Sequence, residues 1–65
     1  MEKAILYSLG DENSRRAQEM LEKANMPFKT EAHLFSDTDK PVVYYQGDRY
    51  VGLPDIAVLA QTFAP

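Results

Sequence analysis

Ile5-Leu6-Tyr7-Ser8-Leu9-Gly10-Asp11-Glu12-Asn13-Ser14-Arg15-Arg16-Ala17 is where the chain changes its period. Ile5, Leu6 and Tyr7 form an apolar run too short for a helix, so residues 3–9 read as a strand. Gly10 breaks it. Asp11-Glu12-Asn13-Ser14 is a cluster of helix-start residues. Asp11 or Asn13 can accept from the free N–H groups of a first turn, and early acids suit its positive end. Beyond this point the apolar spacing is helical. Ala17, Met20, Leu21 and Ala24 fall at i, i+3, i+4 and i+7, which predicts a helix over about residues 12–25. Arg15, Arg16, Gln18, Glu19, Glu22 and Lys23 cover its other faces. Asn25 is the expected C-cap, and Pro27 prevents continuation.

Downstream, residues 28–34 alternate, with Phe28, Thr30, Ala32 and Leu34 set against Lys29, Glu31 and His33. That predicts a strand with one wet face. Ser36-Asp37-Thr38-Asp39 is a polar loop. Pro41-Val42-Val43-Tyr44-Tyr45 is the strongest strand, Gln46-Gly47-Asp48 supplies a turn, and Arg49-Tyr50-Val51 returns as a hairpin. After Gly52, Pro54 suits a first helical turn, and Ile56, Leu59, Ala60 and Phe63 give the stripe of a final helix. The order is β-α-β-β-β-α. It predicts an α/β domain whose four-stranded mixed sheet joins a parallel β-α-β unit to an antiparallel hairpin.

Sixty-five residues leave room for one domain, which buries only about 60% of the surface its unfolded chain exposes. With no cysteine, disulfides, thiolate metal sites and thiol chemistry are excluded, and with one histidine, His33, so is a Cys/His zinc site. No cofactor is expected. The net charge of −3 disfavours attraction to nucleic acid or anionic lipid. The apolar runs are too short for a membrane span or a signal-peptide core, so a soluble cytoplasmic protein is the expectation.

Three stretches resemble the glutaredoxins. In that family a strand ending in Tyr-Ser or Tyr-Thr leads into Cys-x-x-Cys, then a basic residue and Ala. Here Ile5-Leu6-Tyr7-Ser8 leads through a turn to Arg15-Arg16-Ala17. Lys40-Pro41-Val42-Val43 is similar to the family strand that opens on a cis-proline. Tyr50-Val51-Gly52-Leu53-Pro54-Asp55-Ile56 resembles the Gly-Gly-x-x-Asp-Leu turn, and the Gly-Phe-x-Pro-Asp turn of the redoxins that serve ribonucleotide reductase. The resemblance covers nearly the whole chain and implies a minimal thioredoxin/glutaredoxin-like fold.

Two departures decide what that implies about function. The Cys-x-x-Cys positions fall on Asp11 and Ser14, with one residue missing from the preceding loop, so thiol–disulfide exchange has no nucleophile. The family's helix between the second and third strands is also missing, and only about Ser36–Lys40 remains. The link must cross the end of the first strand, roughly 10 Å, and five extended residues span about 16 Å. We expect this short link to narrow or cover the groove where the family holds glutathione.

The resemblance also supplies candidate site residues. Basic residues near Arg15 and Arg16 contact the glycine carboxylate of glutathione in the family, and the position of Asp55 binds its free amine. Pro41 presents backbone groups to a bound peptide or glutathione and is expected to be cis. Each residue has a simpler reading. Asp11 and Ser14 are helix caps, the arginines lie on a solvated face with Glu19 as partner, and Asp55 is a helix-start acid. His33 reads as an exposed strand residue, and no nucleophile-elbow motif supports a Ser-His-Asp triad. Tyr44, Tyr45 and Tyr50, with Tyr7, are more aromatic surface than so small a core hides, which suits a protein interface. The expected role is a redox-inactive, non-enzymatic module that binds another protein as adaptor or inhibitor, a type common among phage products. The alternative is a non-redox binder of glutathione or a small anion through Arg15, Arg16, Pro41 and Asp55.

Overall fold

Ala4–Ser8 (β1), Glu12–Lys23 (α1), Phe28–Ala32 (β2), Val42–Tyr45 (β3), Asp48–Val51 (β4) and Gly52–Phe63 (α2) follow one another in a computed structural model that describes residues 3–63. The sheet order is β2-β1-β3-β4. β1 runs parallel to β2 and antiparallel to β3, and β3 is antiparallel to β4. The chain is therefore an α/β domain with a mixed four-stranded sheet and two helices.

Both helices pack on one face of the sheet. Ala17 and Leu21 of α1 and Ile56, Leu59 and Ala60 of α2 bury against Ala4, Leu6 and Val43. α1 lies over β1, and α2 lies over β3 and β4. This placement corrects the expected wet-face pattern of β2. The strand ends at Ala32, only Phe28 is half-buried, and Thr30 and Ala32 are exposed like Lys29 and Glu31. Leu34, expected inward, is 87% exposed. Alternation sets which residues share a face, but this edge strand extends beyond the helices.

The helix and turn ends follow local chemistry. α1 closes one residue earlier than expected, with Ala24 as the C-cap. Asn25 lies one position beyond in the left-handed region at φ 56°. Its N–H donates to the Glu22 carbonyl (3.0 Å) while the Met26 N–H reaches that of Leu21 (3.1 Å), and Met26 buries beneath the helix end. Gln46 and Gly47 both take positive φ (52° and 84°), as a two-residue hairpin turn requires, so Asp48 already belongs to β4, opposite Tyr45.

No helix joins β2 to β3. Residues 33–41 form a strap that crosses the end of β1 and folds onto the sheet face opposite the helices. The Phe35 ring meets Tyr7 edge-on (centroids 5.0 Å apart), stacks on Tyr44 (5.8 Å) and touches the His33 ring (5.4 Å). The Arg49 guanidinium lies 5.7 Å from the Phe35 centroid, and its Nη1 pairs with Asp37 Oδ2 at 3.0 Å. The His33 N–H extends the parallel ladder to the Ser8 carbonyl (3.2 Å). The His33 ring is half-buried, not exposed, and its Nε2 bonds the Lys40 carbonyl at 2.9 Å, which ties the two ends of the strap together. Val42, outside the helical core, is fully buried on this face.

Pro41 follows a trans peptide bond, since no peptide among the described residues is cis. This corrects the expectation from the resemblance. The short strap delivers Lys40 directly in line with β3, and the Pro41 carbonyl accepts from the Gly52 N–H at 2.9 Å.

Candidate functional site

The carboxyl ends of β1 and β2, the start of α1 and the first residue of β3 meet at one end of the sheet. Asp11 and Ser14, the positions that the resemblance aligns with Cys-x-x-Cys, lie here; Asp11 is the N-cap of α1, whereas Ser14 is the third residue of the helix and not a cap. Asp11 Oδ1 accepts from the Ser14 N–H at 2.9 Å. Ser14, only 2% exposed, turns its Oγ back to accept from the Leu9 N–H at 2.9 Å. The Ser8 hydroxyl accepts from Gly10 N–H at 3.1 Å. The turn between β1 and α1 is held by these short polar side chains. An acid also occupies the positive end of the helix, which weakens its attraction for a second anion.

The Ser14 N–H, helped by the Ser14 hydroxyl, holds the Asp11 carboxyl below its ordinary pKa of 3.8. A depressed folded value means that the cap stabilises fully above the ordinary pKa. Its contribution is lost as pH falls through the lower, folded value. Asp11→Asn should therefore flatten part of the acid limb of stability. Urea midpoints compared between about pH 5 and pH 2 check this, and parallel curves for the two proteins would refute it.

Beside this turn is a recess of about 170 Å³ lined by Asn13, Lys40, Pro41, Gly52, Leu53 and Pro54. Lys40 borders it from the strap, whereas Phe35 lies away on the opposite face of the sheet. The crossing link thus edges the recess without filling it.

The four proposed ligand residues do not converge. Pro41 lines this recess, but Asp55 faces another of about 370 Å³ formed with Asp48, Arg49, Tyr50 and Val58. Arg15 and Arg16 are exposed on α1. Arg16 pairs with Glu12, one turn before it, at 3.6 Å rather than with the expected Glu19 one turn after it. The tyrosines are not a free aromatic patch either. Tyr44 lies against Phe35 and Tyr7, Tyr45 meets Phe63 edge-on at 6.1 Å, and Tyr50 packs on the helical core.

Sequence reasoning passed over the most exposed apolar side chains at this end. Leu9 is 41% and Leu34 87% exposed. Each follows directly on paired strand residues, since Ser8 opposes Ala32 and His33 bonds Ser8. The available signal was positional: each leucine falls where a strand meets polar loop residues. No helix among the described residues is long and apolar enough to cross a membrane. No protein-family model, curated protein or solved structure matches the chain.

Proposed function

We propose that the chain is a redox-inactive, glutaredoxin-like module that works by binding another protein, as adaptor or inhibitor. The strand order, with β2 and β3 flanking β1, supports the fold resemblance, as does the start of α1 immediately after β1. Asp11, the N-cap of α1, and Ser14, whose hydroxyl accepts from the Leu9 N–H, occupy the motif positions in structural roles and supply no thiol chemistry.

The observation that carries the binding reading is the exposure of Leu9 and Leu34 at that same end. A leucine as exposed as Leu34 adds little to folding, and a partner that covers it gains about 2 kcal/mol. The Pro41–Leu53 recess offers a small apolar concavity at the same end of the sheet.

Affinity capture from extract, followed by direct binding of the captured protein in purified form, tests the reading. Leu34→Ser should weaken that binding about thirtyfold, the equivalent of one leucine burial, with unchanged thermal stability. Unchanged affinity would overturn the assignment of this surface. A titration with millimolar glutathione, followed by amide shifts, should leave Arg15, Lys40 and Asp55 unmoved. Concerted movement there would replace this reading by the ligand-binding one.

A further inference from the structure

β2 lies at an edge of the sheet, and its free side has a chemistry that pairs with itself. In a parallel ladder alternate residues turn both backbone groups to the same side. The Ala4 N–H donates to the Pro27 carbonyl (3.0 Å), and the His33 N–H to the Ser8 carbonyl (3.2 Å). With the register Ala4–Phe28, Leu6–Thr30 and Ser8–Ala32, Lys29 and Glu31 therefore bond β1. Phe28, Thr30 and Ala32 turn their N–H and C=O groups outward.

We infer that the β2 edges of two copies pair antiparallel about a two-fold axis through Thr30, joining their sheets into one. In that register Thr30 exchanges backbone hydrogen bonds with Thr30 of the second copy, and Phe28 does so with Ala32. Every outward group of the strand is used. The pairs between them are the non-hydrogen-bonded ones, in which opposed side chains come closest. They place Lys29 opposite Glu31 of the second copy, and Glu31 opposite its Lys29. Within one copy these two side chains already pair at 3.6 Å and are half exposed, so they are available on the edge. Thr30 against itself is also a favourable cross-strand pair. Half-buried Phe28 gains cover from Ala32 of the second copy.

Charge selects this register over its neighbours. Pairing centred on Lys29 or Glu31 keeps some backbone bonds but opposes like charges. The other edge, β4, is less suited: pairing centred on Arg49 would oppose that residue to itself, and β4 runs directly into α2 at Gly52. An isologous contact of one five-residue strand is small, so the association is weak and concentration-dependent. It does not depend on the partner-binding reading above.

Sedimentation of the full chain from about 10 μM to about 1 mM, with amide hydrogen exchange at both limits, tests the inference. The weight-average mass should rise toward a dimer, and protection should increase selectively at Phe28, Thr30 and Ala32. Lys29→Glu alone and Glu31→Lys alone should each weaken association about tenfold or more, because both oppose like charges. An equimolar mixture of those two variants should associate again, as should the doubly reversed Lys29→Glu/Glu31→Lys chain. A wild type that remains monomeric at the highest concentration would overturn the inference. So would single variants that associate like wild type, or protection appearing elsewhere.

Discussion

Leu6→Ala is expected to leave most of the chain unfolded at 37 °C. Leu6 sits at the centre of β1, fully buried, paired with Thr30 on one side and Val43 on the other. Its side chain meets the core formed with Leu21, Ile56 and Leu59. Truncating such a leucine typically costs about 2–5 kcal/mol, the transfer loss plus the cavity left behind. A single core in a domain of this size supplies only about 3–5 kcal/mol in total. Loss and supply are therefore comparable, and no disulfide limits the unfolded ensemble. Urea melts followed by far-ultraviolet circular dichroism should show a much lower midpoint or no folded baseline. Leu34→Ala, the same truncation at an exposed leucine, should stay within about 0.5 kcal/mol of wild type. Equal losses in the two variants would mean that the core is misassigned.

Phe35→Ala should have the next largest effect, about 2–3 kcal/mol. Phe35 is half-buried, so it loses less transfer energy than a core phenylalanine. It nevertheless makes ring contacts with Tyr7, Tyr44 and His33 and lies under the Arg49 guanidinium. Its removal uncovers Tyr7 and Tyr44 together. Phe35→Leu keeps most of the apolar area but loses the ring geometry, and should recover about half of the loss. The near-ultraviolet dichroism of the tyrosines should collapse in Phe35→Ala before the far-ultraviolet signal does. A loss under about 0.5 kcal/mol would mean that residues 33–41 do not cover the sheet.

The contrast between these two positions shows what sequence could and could not reveal. Leu6 lies in an apolar run, and Ala17, Leu21, Ile56 and Leu59 fall on helical stripes, so the helical face of the core was legible. The hairpin was legible because Gln46-Gly47 carries its own turn chemistry. Phe35 belongs to no period. It meets Tyr44 and Tyr7 across two different strands, and nothing local encodes that meeting. The exposed run of β2 escaped for a related reason: alternation describes a strand but not how far a helix extends over it.

At the candidate site, the capping role of Asp11 was readable because it is local, whereas Ser14 is the third residue of the helix and its hydroxyl ties back to the Leu9 N–H. The separation of Asp55 from Pro41 was not. The Gly52 N–H bound to the Pro41 carbonyl fixes how α2 begins, and the turn then faces Pro54 to the recess and Asp55 toward β4. The choice of Glu12 over Glu19 by Arg16 was also beyond spacing alone, since either acid is one helical turn away.

The strap that closes the face opposite the helices sets a lower limit on what this fold needs. Ile5, Tyr7, Val42 and Tyr44 are the residues of β1 and β3 that face that way, a patch narrow enough for one aromatic ring and its neighbours to roof. Nothing in the β2-β1-β3 pairing depends on how many residues connect β2 to β3. Doubling such a connection costs only about 0.6 kcal/mol in closure entropy. The connection can therefore lengthen at little cost while the sheet and its helical layer stay in place. The strap is thus free in length but not in content, because the Phe35 ring must still meet Tyr7 and Tyr44.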